Sequence, residues 1–441
     1  IYLDYNATTP IDPEAASAMR PFLEGNFGNP SSSHWYGLQA KKAVGDARRQ
    51  LADLLGCGPD EIVFTSGGSE SNNMAIKGAA YSLRERGNHI ITSAIEHPAV
   101  MEVCAHLEKE GFRITRLPVD AEGMVSVSDL TDAMTAETIL VSIMHANNEV
   151  GTVQPVSELA AAAHRGGAVF HTDAAQSVGK IPANVDELGV DLLSIAGHKF
   201  YAPKGVGALY IRRGINLAKL IHGADHERNL RAGTENVLEI VGLGAAARVA
   251  ARDLGNNMEH MRRMRDRLEY GLRTALPYVR INGSLEARLP NTLSVSFPLV
   301  EANTLLDGIG EEVAASAGAA CHTDSVDISA VLEAMKIPVD VAMGTVRFST
   351  GRGTTETEID RALEVIVDAV KRLRPGDGES AKAPAAPGAS VKLTRFTHGL
   401  GCACKLRPQD LEKVLSGLPL SEDGNVLVGQ DKSDDAAVYR L

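Results

Sequence analysis

Five short stretches carry residues whose types and spacing could do chemistry together. Gly67-Gly68-Ser69 joins an apolar run to a helix-length segment. Bare backbone N–H groups and a hydroxyl at a helix start suit a phosphate. His97 follows a second apolar run and Asn148 a third, while Asp173 closes a fourth with Gln176 three residues on. Gly197-His198-Lys199 ends a fifth. Singly each is ordinary: a turn, a packed or surface imidazole, a helix cap, a solvated amine. Together they supply an amine for an aldehyde, a carboxylate for a pyridine nitrogen, an anion cradle and a flat ring partner. Those are the needs of pyridoxal phosphate. Lys199, Asp173, Gly68 with Ser69, and His97 would meet them in turn.

The elements that position these groups follow from the hydrophobic pattern. Glu61–Thr65, His89–Thr92, Ile139–Ile143, Ala168–His171 and Leu192–Ile195 are short apolar runs. Helix-length segments separate them, among them Ser69–Arg84 and one opening at Pro98. Such alternation predicts βαβ units and a mostly parallel sheet covered on both faces. Ligands bind beyond the carboxyl ends of such strands, where all five stretches fall. From about Asn256 the texture changes to a charged helix (Met258–Arg273), two alternating strands (Asn291–Phe297 and Thr345–Ser349) and a last helix near Thr355–Leu373. We therefore expect an α/β protein with a large domain over residues 1–255 and a smaller α/β domain over 256–374. Residues 375–391, rich in Pro, Ala, Gly and Ser, form the expected linker. Residues 392–441 make a terminal segment too short for a confident core of its own.

Several ordered motifs resemble the cysteine desulfurase / selenocysteine lyase family from residue 1 to about 373. They are Ile1-Tyr-Leu-Asp-Tyr-Asn-Ala-Thr-Thr-Pro10, Phe64-Thr-Ser-Gly-Gly-Ser-Glu-Ser71, Met144-His-Ala-Asn-Asn-Glu-Val-Gly151, His171-Thr-Asp-Ala-Ala-Gln-Ser177 and Gly197-His-Lys-Phe-Tyr-Ala-Pro-Lys-Gly205. The resemblance implies the aspartate-aminotransferase-like fold (pyridoxal-phosphate transferase fold type I), a homodimer, and L-cysteine or L-selenocysteine as substrate with alanine left behind. It implies that Lys199 carries the cofactor as a Schiff base and that His97 stacks on its ring and assists proton transfer. Asp173 would pair with the ring nitrogen, Gln176 would reach the phenolic oxygen, and Asn148 would sit beside cofactor and substrate. Gly68, Ser69 and His198 would hold the phosphate, with Thr234 of Arg231-Ala-Gly-Thr234 reaching the phosphate of the neighbouring subunit. Arg347 would clamp the substrate carboxylate, a task suited to a bidentate guanidinium; an interdomain ion pair is the alternative. Two positions depart from the pattern: Ala196 replaces a common Ser and Ser69 a common Thr. One lost hydrogen bond is worth about 1 kcal/mol, so cofactor binding is expected to survive.

Ala315-Ser-Ala-Gly-Ala-Ala-Cys321 is a run of small residues ending in a thiol. Taking sulfur or selenium from a substrate calls for a thiolate that attacks the chalcogen and carries it away. By the resemblance Cys321 is that nucleophile, while Cys57 and Cys104 have no such context. His322 after the thiol is more like selenocysteine lyases than general desulfurases.

A second resemblance covers the tail. Leu393-Thr-Arg-Phe-Thr-His-Gly-Leu-Gly-Cys402-Ala-Cys404-Lys405 and Leu427-Val-Gly-Gln-Asp-Lys-Ser-Asp434-Asp435 look like the N-terminus of selenophosphate synthetase. There Cys402 would be the active-site thiol, Lys405 the essential lysine and Asp435 a ligand for magnesium on ATP. Mg-ATP would be a cofactor only with a complete synthetase domain, of which about the first 50 residues are present. No metal is expected in the lyase part. Joining a selenium-releasing enzyme to one that consumes selenium would favour local transfer.

Composition bounds the rest. A net charge of −12 over 441 residues argues against nucleic acid as a bulk partner. No uncharged apolar run reaches the roughly 18 residues a membrane helix needs. Five scattered cysteines suit a reducing compartment, so a cytoplasmic enzyme is expected. The expected partners are the amino-acid substrate, a second subunit, and an acceptor protein for sulfur or selenium, with selenophosphate synthetase a candidate. Two other readings are open: a general desulfurase feeding iron–sulfur clusters or thiolation, which would use the same residues, and an inactive carrier or scaffold that binds partners through the tail.

Overall fold

The computed structural model describes residues 1–322 and 325–374, with backbone alone for 319–322 and 325–327, and two short paired strands at Val426–Val428 and Val438–Tyr439. The expected linker and the rest of the tail lie outside the described residues, and with them Cys402, Lys405 and Asp435.

Seven strands build the main sheet: β1 (Ile62–Thr65), β2 (His89–Ser93), β3 (Arg113–Leu117), β4 (Thr138–Ser142), β5 (Val169–Asp173), β6 (Leu192–Ala196) and β7 (Gly207–Ile211). Their order is β1-β7-β6-β5-β4-β2-β3. All neighbours are parallel except β7, which runs antiparallel to both β1 and β6. Strands β1, β2, β4, β5, β6 and β7 are buried along their whole length, as expected of a sheet covered on both faces. Two imidazoles bridge neighbouring strands inside it. His171 on β5 bonds Ser142 of β4 at 2.8 Å and Ser194 of β6 at 2.9 Å. His89 on β2 bonds Thr138 at 2.8 Å and Thr115 of β3 at 2.8 Å.

Helices cover both faces: α1 (Pro13–Glu24), α2 (Trp35–Leu55), α3 (Gly68–Ser82), α4 (Pro98–Lys109), α5 (Val127–Ala133), α6 (Val156–Arg165), α7 (Val185–Leu188) and α8 (Val237–Ala275). Strands β8 (Arg280–Asn282), β9 (Thr292–Ser296), β10 (Ser316–Ala317) and β13 (Thr345–Ser349) form a second, antiparallel sheet in the order β10-β13-β9-β8. The hairpin β11 (Ala319–His322) with β12 (Ser325–Ile328) springs from it. Helices α9 (Ala302–Ile309), α10 (Ala330–Ala334), α11 (Val339–Ala342) and α12 (Glu356–Leu373) complete the chain, α12 opening with a Thr355/Glu358 capping box.

The break expected at 255/256 falls inside α8, one 39-residue helix. Its first half packs so closely on α2 that a Cβ on Gly244 would lie 2.4 Å from the Ala47 Cα. In its second half Met264, Leu268 and Leu272 join the apolar cluster of the small sheet and α12. The N-terminal segment straps the two sheets together. Leu3 N donates to Ala314 O at 2.9 Å and Ser349 N to Leu3 O at 2.7 Å, while Thr9 N donates to His198 O at 2.9 Å.

Candidate active site

The carboxyl ends of β1, β2, β4, β5 and β6 meet around a cavity of about 360 Å³. Its wall brings together Gly68, Ser69, His97, Asn148, Asp173, Gln176, His198, Lys199 and Arg347. Thr234 is exposed and outside that wall. Its loop docks beside the first turn of α3 through Arg231 Nε, which donates to Glu70 Oε1 at 2.9 Å. Cys321 lies on β11, at the hairpin on the edge of the small sheet.

Lys199 sits on a short 3-10 turn after β6. Its Nζ donates to the backbone oxygens of Asn6 at 2.6 Å and Ala7 at 2.9 Å. Burial, with Arg347 nearby, pulls the amine down to about 8, against the opposing pull of Asp173 and Asp4. Asp173, at the end of β5, accepts from Asn72 Nδ2 at 2.7 Å and from Ala175 N at 2.9 Å. Each carboxylate oxygen thus has a donor of its own, which fixes the orientation of the group.

Helix α3 starts at Gly68 behind Gly67, whose φ of 152° only glycine adopts readily and which offers no side-chain cap. The first N–H groups and the positive end of the helix dipole are therefore left for an anion. Ala196 forms part of the wall at this end, and a Cβ on Gly68 would sit 3.2 Å from its methyl. His97 caps α4, its Nδ1 accepting from Ala99 N at 3.1 Å, and its ring stays exposed. Burial of its polar atoms, then Lys199, lowers its basicity, with Asp173 opposing. His198 bonds Thr8 Oγ1 at 3.1 Å and is lowered to about 4 by burial and by Lys199, Lys204 and Lys180.

Arg347 on β13 donates from Nη1 to Asn148 O at 2.9 Å, and from Nη2 to Asp4 Oδ1 at 2.8 Å and Ser316 Oγ at 3.0 Å. The ion pair weighed as its alternative role therefore exists, while the guanidinium still faces the cavity. The Cys57 and Cys104 thiols are both pushed up to about 12 by burial, which leaves them poor nucleophiles.

Two polar side chains that the sequence analysis did not single out, Asn72 and Asn6, line the cavity. Asn72 stands one helical turn beyond Gly68, a spacing that places both on one face of α3 and could have flagged it. Asn6 is fully buried and accepts Lys199 on its backbone oxygen, a contact across 193 residues that no local pattern signals.

The donor set fits pyridoxal phosphate: a depressed amine, a pre-oriented carboxylate, a bare helix N-terminus with His198 at one end, and the partly buried guanidinium of Arg347. Fold and site together define a pyridoxal-phosphate enzyme of the aminotransferase type. The chain belongs to the aminotransferase class-V family, whose profile matches residues 1–362. Within it the protein is a cysteine desulfurase-type enzyme. It is 49% identical over 375 residues to cysteine desulfurase IscS of Dictyoglomus turgidum, covering 85% of this chain and 95% of that one. Cysteine desulfurase IscS of Escherichia coli is 47% identical over 379 residues, covering 85% and 93%. Among solved structures, a NifS-like protein superposes with a TM-score of 0.80 at 39% identity, over 85% of this chain and 100% of that one.

Proposed function

We propose that this protein takes sulfur from L-cysteine, or selenium from L-selenocysteine, leaves alanine, and loads the chalcogen on Cys321 for an acceptor protein. The observation that carries this reading is the convergence of Lys199, Asp173, His97 and Arg347 on one cavity with the N-terminus of α3.

Pyridoxal phosphate, once bound, supplies an electron sink that lets bonds at the substrate Cα and Cβ rearrange. The protein's share is binding, orientation and proton handling. Lys199 would hold the aldehyde carbon and, with a basicity near 8, could take and return a proton on the substrate Cα. Asp173, steadied by Asn72, would keep the ring nitrogen protonated. His97 would stack on the ring, and Gln176 would donate to the phenolic oxygen. Gly68, Ser69 and His198 would hold the phosphate, with Thr234 contributed to the neighbouring subunit. Arg347 takes the substrate carboxylate, Asn148 beside it. The Cys321 thiolate attacks the substrate sulfur: the Cβ–S bond breaks, an S–S bond forms, and Cβ leaves protonated as the alanine methyl. The persulfide stays on Cys321.

Exposed apolar side chains near the start of α2 support a homodimer: Phe27 stacks on Tyr36 at 5.4 Å, with Trp35 against the same ring, and all three are open to solvent. Thiol chemistry on Cys321 calls for a reducing compartment, in keeping with the cytoplasm, and no helix among the described residues is long and apolar enough to cross a membrane. The order Cys321-His322 and the synthetase-like tail with Cys402, Lys405 and Asp435 support selenium as the cargo and selenophosphate synthetase as a consumer.

Alanine formation by the cofactor-loaded protein tests this. Cys321→Ala should lower the rate from L-cysteine at least about 100-fold; an unchanged rate would exclude Cys321 as the sulfur acceptor. A kcat/KM ratio for selenocysteine over cysteine of about 100, near 3 kcal/mol of discrimination, would support the selenium role. Equal values would make it a general desulfurase.

A further inference from the structure

Behind the cavity lies a lysine that none of the steps above uses. Lys180 is 4% exposed, on the turn that follows Gln176. Its Nζ donates to Gln176 Oε1 at 2.9 Å and to Asn6 Oδ1 at 3.0 Å. Among the described residues no carboxylate pairs with it, and the charged groups that act on it are Lys199 and Arg347, both cations. An amine so placed is costly, since a buried charge normally requires a counter-charge. Burial and those two neighbours accordingly lower its basicity.

Its partners show what it does. A lysine ammonium carries three donors and no acceptor, so it bonds an amide through the amide oxygen. Lys180 thus fixes which way round two carboxamides lie. Gln176 must turn its oxygen inward, so its NH₂ faces the cavity side, where Nε2 donates to Asn6 O at 3.0 Å. Asn6 must turn Oδ1 inward, where Asn291 Nδ2 also donates to it at 3.0 Å, leaving its own NH₂ for Thr292 Oγ1 at 2.8 Å. The same Asn6 backbone oxygen receives Lys199 Nζ at 2.6 Å. One buried amine therefore sets the polarity of the amide that lines the cavity and steadies the residue that tethers the reactive lysine.

We propose that Lys180 is a positioning residue for the cofactor site, holding the Gln176 amide with its N–H groups toward the phenolic oxygen of pyridoxal phosphate. The inference rests on the cofactor reading above. With Lys180 gone, Gln176 can present its oxygen instead. The phenolic oxygen then keeps more negative charge and holds the proton it shares with the Lys199 nitrogen to higher pH.

The test is the pH midpoint of the visible absorbance change of the holoenzyme, measured for wild type, Lys180→Met, Lys180→Gln, Gln176→Leu and the Lys180→Met/Gln176→Leu double variant. Lys180→Met should raise the midpoint by at least about half a unit. Lys180→Gln, which keeps a donor, should lie nearer wild type. The double variant should shift no further than Gln176→Leu, as two groups in one network are not additive. A lower melting temperature with an unmoved midpoint would make Lys180 a packing residue and overturn the proposal. So would additive shifts, or failure of both Lys180 variants to fold. A wild-type protein without a visible band that Lys199→Ala removes would instead overturn the cofactor reading itself.

Discussion

At the scale of single residues, the proposed site sets two partly buried cations, Lys199 and Arg347, where an anionic cofactor would compensate them. Lys199 near 8 is roughly a tenth unprotonated at neutral pH, far more than an ordinary lysine. Arg347 is held in place by Asp4 and Ser316, so under the proposed reading a substrate carboxylate would meet a planar fork already aligned. Arg347→Lys keeps charge but loses the fork. It should raise KM for L-cysteine at least about tenfold with a smaller change in kcat; steady-state kinetics showing KM unchanged would leave Arg347 with its ion-pair role alone. Lys199, Asp173 and His97 stood out in the sequence because each is a chemically distinctive residue at or just past the end of a strand, whereas Arg347, in the middle of β13, was flagged only by the family resemblance. Asn6 and Lys180 were not flagged, since the contact that joins them spans 174 residues and neither interrupts a local pattern.

At the scale of elements, hydrophobic periodicity located five of the six fully buried strands of the main sheet, and the closing helix, within a residue or two. It missed β3, an edge strand with Arg113 and Arg116 on it, and β7, which follows the Lys204–Gly207 turn with no helix between. It also divided α8. Gly255-Asn256-Asn257 reads as a break, but those residues are not buried, so the cost is about 1 kcal/mol per poor helix former and the packing on either side outweighs it. Polar cross-links inside the sheet carry their own prediction. His171→Leu would leave the hydroxyls of Ser142 and Ser194 without their partner. At about 1–3 kcal/mol for each orphaned group, urea unfolding should show a loss of roughly 2–5 kcal/mol, and a loss under 1 would mean the bridge is dispensable.

At the scale of the whole molecule, the N-terminal strap, α8 and the two sheets make the cavity a product of both halves of the chain: Asn6 and Arg347 enter it from opposite ends of the sequence. Buried imidazoles also set how the fold responds to acid. Burial lowers His145 to about 4 and His171 to about 3, while in the unfolded chain each titrates near 6.5. Between those limits the unfolded chain binds more protons. Their contribution is therefore complete above 6.5 and is lost as the pH falls toward 4 and then 3. Glu96, raised to about 8 by burial, acts oppositely, its contribution fading as pH rises from 4.5 through 8. His89, near 4 and away from the cavity, reinforces the first trend. Thermal unfolding of the holoenzyme should thus show a Tm that falls by several degrees between pH 7 and 5; a flat profile would mean these imidazoles are hydrated in solution. The most direct test of the central claim, that this cavity turns L-cysteine into alanine through Lys199, is alanine formation by the cofactor-loaded wild type and by Lys199→Ala. Wild type should release alanine while Lys199→Ala, folded and with a normal Tm, loses the visible band and at least about 1,000-fold in rate. Alanine release by Lys199→Ala at the wild-type rate would contradict it.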